Sequence, residues 1–186
     1  MKTHIIACLA AASLFSGAAL VRAQEIPQMP PPVKEHEWFK QLVGEWESEM
    51  EVFMVPGQPA VKGKGSEVVR MLGGFWLVGE GKGEMMGMKM SSLLTLGYDP
   101  EKKKYVGNWV DSMSSTHWTY VGSVDSTGKK LTLETEGPCP MKPGTISKFK
   151  EVLEIKDKDH KVFTSSILGD DGKWTTMVVV NSTRKK

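Results

Sequence analysis

The chain has 186 residues, two cysteines and a formal charge of +2, from 24 basic and 22 acidic side chains. Two of those basic residues, Lys2 and Arg22, lie in a first segment without acids, so the chain beyond it carries 22 charges of each sign. A nucleic-acid binder keeps a basic face; the one dense basic cluster left is the tail Arg184-Lys185-Lys186, and nucleic acid is not expected as a partner.

Residues 1–23 have the three parts of a secretory signal peptide: a short polar start with Lys2 and His4, an uncharged run from Ile5 to Leu20, and small residues at Val21 and Ala23 around Arg22. The run is about 16 residues, short of the roughly 20 that span a bilayer. Cleavage is expected before Gln24, giving an exported protein, periplasmic or secreted, with no transmembrane segment afterwards. Cys8 leaves with the signal and Cys139 stays alone, so no internal disulfide can form. Residues 24–33 (QEIPQMPPPV) form a proline-rich leader without periodicity. Residues 34–186 are then a single domain, long enough to bury one core.

Within 34–43, Trp38, Phe39, Leu42 and Val43 recur at helical spacing, and Gly44 is a natural stop, which predicts one short N-terminal helix. His36 falls on the approach to it and is expected to be solvated. From Gly44 onward the period changes to two. Trp46, Met50, Val52 and Met54 share one face of a first strand, and Glu47, Glu49 and Glu51 share the other. Further strand-like runs cover 61–72, 75–86, 90–98, 105–113, 116–124, 130–136, 145–156, 161–168 and 174–181. Turn chemistry separates them: Gly73-Gly74, Asp99-Pro100, Ser126-Thr127-Gly128, Gly137-Pro138, Asp157-Lys158-Asp159 and Asp170-Asp171-Gly172. About ten short strands in hairpin succession leave no room for crossover helices. The fold class is therefore all-β, a single antiparallel up-and-down barrel, since closure removes exposed edges. A membrane barrel would need an outward apolar band on every strand; the Glu47/Glu49/Glu51 and Lys148/Lys150 faces do not supply it.

The entry 38–46 (WFKQLVGEW), a short helix leading into Gly-x-Trp, resembles the opening of lipocalin-like (calycin) barrels. Taken with EHEWFKQLVGEWE at 35–47, LGGFWLVGEG at 72–81, LLTLGYDP at 93–100 and ILGDDGKWTT at 167–176, it resembles the bacterial family called domain of unknown function 1579, from about Glu35 to the C-terminus. The resemblance implies a calycin-like barrel in an exported protein, with the Trp46 indole plugging one end. It brings no activity and no catalytic residues.

A barrel of this size holds one small ligand. Trp46, Met50, Met71, Trp109, Trp118 and Tyr120 supply an adaptable apolar lining, so the expected partner is a small, mainly apolar molecule; the alternative is that the same residues fill a closed core. Met85-Met86-Gly87-Met88-Lys89-Met90 offers thioethers to soft copper(I), but only alternate residues share a face and no histidine or cysteine adjoins; a hairpin rim is the better reading, and no metal site is expected. No cofactor is assigned, and haem bound through a late-strand histidine finds none in 174–181. His160 follows Asp159 in a turn and is expected to be solvated. His117 is the one catalytic candidate. With a three-residue loop before it, Asp111 faces it and orients it as a base; with two or four, Val110 does, and Trp109 pairs with Trp118. The sequence therefore leaves three readings open: a ligand-binding barrel, a cavity enzyme using His117 and Asp111, and an interaction module of the cell envelope.

Overall fold

The computed structural model describes residues 30–54 and 57–186. The signal-peptide expectation and most of the leader fall outside them. The described chain opens with a single α-turn, α1 (Lys34–Glu37), followed directly by a 3-10 helix (Trp38–Leu42). Ten strands complete it: β1 (Gly44–Val52), β2 (Val61–Leu72), β3 (Trp76–Met85), β4 (Met88–Asp99), β5 (Lys104–Asp111), β6 (Trp118–Val124), β7 (Lys130–Pro138), β8 (Ile146–Ile155), β9 (His160–Leu168) and β10 (Trp174–Arg184). Each pairs antiparallel with its sequence neighbours, and β1 pairs with β10 from Trp46↔Arg184 to Val52↔Val178, closing the barrel. Among the described residues no helix is long and apolar enough to cross a membrane.

The single predicted helix over 34–43 is thus two short pieces. Ten residues are too few to sustain an α-helix on their own. The 3-10 form brings Phe39 and Leu42, three apart, onto one side; both are buried, as is Trp38. His36 departs from the sequence expectation. It is only 4 % exposed. Its Nδ1 accepts the Val33 N–H at 3.0 Å, and its ring meets Phe75 and Tyr98 edge-on. The cause is tertiary: Pro32 packs onto Gly74 in the β2–β3 turn, which folds the approach segment against the barrel.

Strand alternation sorts the chain into lumen and solvent faces. At the helix end, Trp38, Phe39, Leu42, Trp46, Val69, Leu77, Leu96, Leu131 and neighbours form one packed cluster that plugs the barrel. Its polar edges are satisfied: Trp38 Nε1 donates to Gly128 O (2.7 Å), Trp46 Nε1 to Leu42 O (2.8 Å) and Tyr105 OH to Glu35 O (3.2 Å). Toward the far end a smaller cluster joins Cys139, Phe149, Ile167 and Met177, with Trp118 laid against it. Cys139 is a free, buried thiol in that packing.

The solvent face has two characters. On β1–β4, ladder partners alternate in charge along Glu49–Lys64–Glu84–Lys89. On β2–β6 an apolar rung runs Leu72–Trp76–Gly97–Val106–Val121. Trp76, although 41 % exposed, lies over Gly97, whose missing side chain makes room for the indole.

Candidate functional site

The lumen is asymmetric between its two ends and between its two walls. On the β2–β3 wall the inward positions Gly63, Gly65, Gly79, Gly81 and Gly83 carry no side chain, and neighbours fill the space. Glu67 leans over Gly79 and Ser92 over Gly81. Met50 Cε rests 3.1 Å from where a Cβ would stand at Gly63 and 3.2 Å from that of Gly83, and Met90 Cε is 3.5 Å from the latter. Two unbranched thioether chains therefore occupy what three of the five glycines, Gly63, Gly65 and Gly83, vacate. Methionine is the side chain that most readily repacks in such a place.

The opposite wall carries polar groups. Glu151 on β8 is 6 % exposed, because it follows Phe149 and precedes Leu153 on the inward face of its strand. Ser165, its ladder partner on β9, donates to its Oε1 at 3.0 Å. Its Oε2 and the Oγ1 of Thr135 on β7 are buried with no hydrogen-bond partner among the described residues. Burial pushes the Glu151 carboxyl up to about 7, and the Ser165 hydrogen bond offsets part of that shift. Burial also raises the Tyr120 phenol, and the nearby carboxyls of Glu151 and Asp111 add to the effect. Glu151 and Thr135 were not singled out by the sequence reading. The signal was present: in Lys148-Phe149-Lys150-Glu151-Val152-Leu153, period two sets Glu151 among the apolar residues.

The expected ligand lining is divided between these regions. Trp46 is a plug residue, 2 % exposed, with the Lys161 ammonium 4.5 Å and the Arg184 guanidinium 4.1 Å from its ring. Tyr120 belongs to the same cluster, and Met71 and Trp109 pack on it. Trp118 stacks edge-on against Phe149 at 5.1 Å and covers Gly137. Of the six, Met50 alone sits on the glycine wall.

His117 and Asp111 are not brought together. Trp109 pairs with Trp118, the register in which His117 stands beside an aromatic pair. His117 is exposed in the segment before β6. Asp111 spends its carboxylate on its own turn, where Oδ1 accepts the amides of Met113 (2.6 Å) and Ser114 (3.0 Å). His160 is exposed and paired with Asp157 at 2.9 Å. Among the described residues no group of three or more histidine, cysteine or acidic side chains is placed to hold a metal ion. A trough of about 700 Å³ crosses the solvent face of β1–β4, lined by Glu47, Glu49, Lys64, Lys82, Glu84 and Lys89 among others. Its alternating charges suit water better than an apolar molecule.

A closed, ten-stranded, up-and-down barrel, plugged by a helix and a tryptophan at one end, is a calycin-like barrel. The chain belongs to the family described as "Protein of unknown function (DUF1579)", whose model matches residues 31–184. Among solved structures it is similar to Rv2717c from M. tuberculosis, with a TM-score of 0.59 and 13 % identity over 83 % of this chain and 99 % of that one. At that identity the likeness concerns the fold. It also matches a redesigned β-barrel, b11L5F_LGL, with a TM-score of 0.36 and 11 % identity over 80 % of this chain and 95 % of that one, too low a score to argue from. No curated protein matches the chain.

Proposed function

We propose that this is an exported lipocalin-like binding protein that holds a small, mainly apolar molecule in the lumen beyond the Trp46 plug. Export rests on the signal-like pattern of residues 1–23. The observation that carries the binding reading is the glycine wall, where Met50 and Met90 occupy the room in front of Gly63, Gly65 and Gly83. Their swing opens space without disturbing the ladder, and neither thioether needs a polar partner to be left behind.

Native mass spectrometry of the mature protein purified from its own host, with an absorption spectrum, tests this. A stoichiometric bound mass is expected in the natural protein and not in Gly83→Leu, whose side chain displaces two flexible methionine ends and fills the same room. A bound mass that persists in Gly83→Leu would place the ligand elsewhere.

A second reading, an envelope module that associates with its own copies through the solvent face, is favoured by the rung Leu72–Trp76–Gly97–Val106–Val121. Contiguous exposed apolar surface marks interaction sites. Sedimentation over a range of concentrations tests it: self-association lost in Val121→Glu supports it, and a monomer throughout removes it.

A further inference from the structure

Glu151 is the ionisable group of the lumen that the fold leaves unanswered. Lys161, the buried cation, is already held by Glu67 at 2.6 Å. Asp111 at the far rim is engaged by its own turn amides. Glu151 has one hydrogen bond, from Ser165, and no cation among the described residues. A buried carboxylate without a counter-charge is costly, and a second buried oxygen without a donor adds to that cost.

The two unpartnered oxygens are neighbours by register. Glu151 faces Leu133 and Thr135 faces Phe149 on the β7–β8 ladder, so Glu151 and Thr135 are diagonal on the lumen face. Such diagonals place the two residues about 7–8 Å apart, with their Cβ atoms somewhat closer. Both side chains reach inward from there, where one nitrogen donating two hydrogen bonds of about 2.8 Å would answer both oxygens. Phe149, on the same face as Glu151, and Tyr120 on β6 bring aromatic surface, which favours a cation.

We propose that Glu151 Oε2 and Thr135 Oγ1 form a recognition site for the ammonium group of a primary amine whose apolar body lies against the methionines of the glycine wall. The proposal rests on the lumen-binding reading and names its ligand class. An alcohol hydroxyl donates to one oxygen only, and a water can bridge both but brings no charge; an ammonium donates to both and neutralises the carboxylate. The nearly neutral affinity of the Glu151 carboxyl for its proton accords with a site where a cation replaces that proton.

Isothermal titration of the mature chain at pH 8 with hexylamine, hexan-1-ol and hexanoate tests the site. Hexylamine is expected to bind at least tenfold more tightly than hexan-1-ol, and hexanoate not at all. Glu151→Gln is expected to remove that preference, and Thr135→Val to weaken amine binding less. Infrared difference spectra of the natural chain at pH 6 give a readout independent of any variant. Hexylamine should convert a protonated carboxyl band to a carboxylate band, and hexan-1-ol should not. Equal binding of amine and alcohol, unaltered by Glu151→Gln, overturns the amine site and leaves the lumen reading standing. If no probe binds, and no ligand co-purifies in native spectra, the lumen reading itself fails.

Discussion

The ammonium of Lys161 on β9 stands 4.5 Å from the ring centroid of Trp46 on β1, two strands away. Its Nζ also lies 2.6 Å from Oε2 of Glu67, the ladder partner of Trp46 on β2. One cation therefore ties three strands of the plugged end to one indole. Room for the acid comes from Gly79, where a Cβ would meet Glu67 Oε1 at 2.6 Å.

Breaking that arrangement from one side is expected to cost more than removing it. Lys161→Met leaves the largely buried Glu67 without its cation and should destabilise the fold by about 2–4 kcal/mol. The double variant with Glu67→Gln should recover at least half of the loss. Urea unfolding followed by tryptophan fluorescence measures both; equal costs for the single and the double variant would refute the account.

The Glu151 carboxyl gives a pH dependence with a definite sign. Its folded-state value of about 7 lies above the ordinary 4.5 of an exposed glutamate, so the folded chain holds the proton that the unfolded chain has released. Stability should fall as pH rises from about 4.5 to 7 and level off above, by up to about 3 kcal/mol from this group. Glu151→Gln should flatten that slope and be more stable than the natural chain at pH 8. Urea midpoints at half-unit pH steps check this.

The β3–β4 hairpin turns through Met86 and Gly87, both at positive φ (52° and 75°). That is the type I′ pattern, in which asparagine followed by glycine is preferred and a long unbranched side chain is not. Met86 is exposed and its side chain has nothing to lose. Met86→Asn should raise stability by about 0.5–1 kcal/mol. Thermal unfolding reads it as a rise in midpoint of a few degrees.

The loop between β5 and β6 separates a structural residue from a bystander. Asp111→Ala frees the amides of Met113 and Ser114 and should cost about 1 kcal/mol. His117→Ala, at an exposed position, should change stability by less than about 0.5 kcal/mol. Equilibrium unfolding of both variants decides whether the carboxylate serves the turn or the imidazole.

The strands themselves were legible because their signal is local. Period-two alternation and the turn residues between runs placed all ten, one of them to the residue: Val61–Leu72 is β2, and the run starting at Trp174 is β10, extended by three residues to Arg184. That extension is not written in 182–184. It comes from Ser182, Thr183 and Arg184 finding partners on β1, more than 130 positions earlier. Partners remote in sequence also explain His36, which local composition marks as solvated and which Pro32 on Gly74 carries into a contact with Phe75 and Tyr98.

For the candidate site the division is similar. Alternation along Phe149, Glu151, Leu153 and Ile155 put a glutamate on the core face of β8, and that much could be read from the sequence alone. Its meaning depended on closure. Only the completed barrel assigns Lys161 to Glu67, leaving Glu151 without a counter-charge, and only the β7–β8 register sets Thr135 beside it. Strand identity and facing come from the pleat, which every second residue repeats. Partnership across strands comes from loop lengths and ring closure, which no short window of sequence contains.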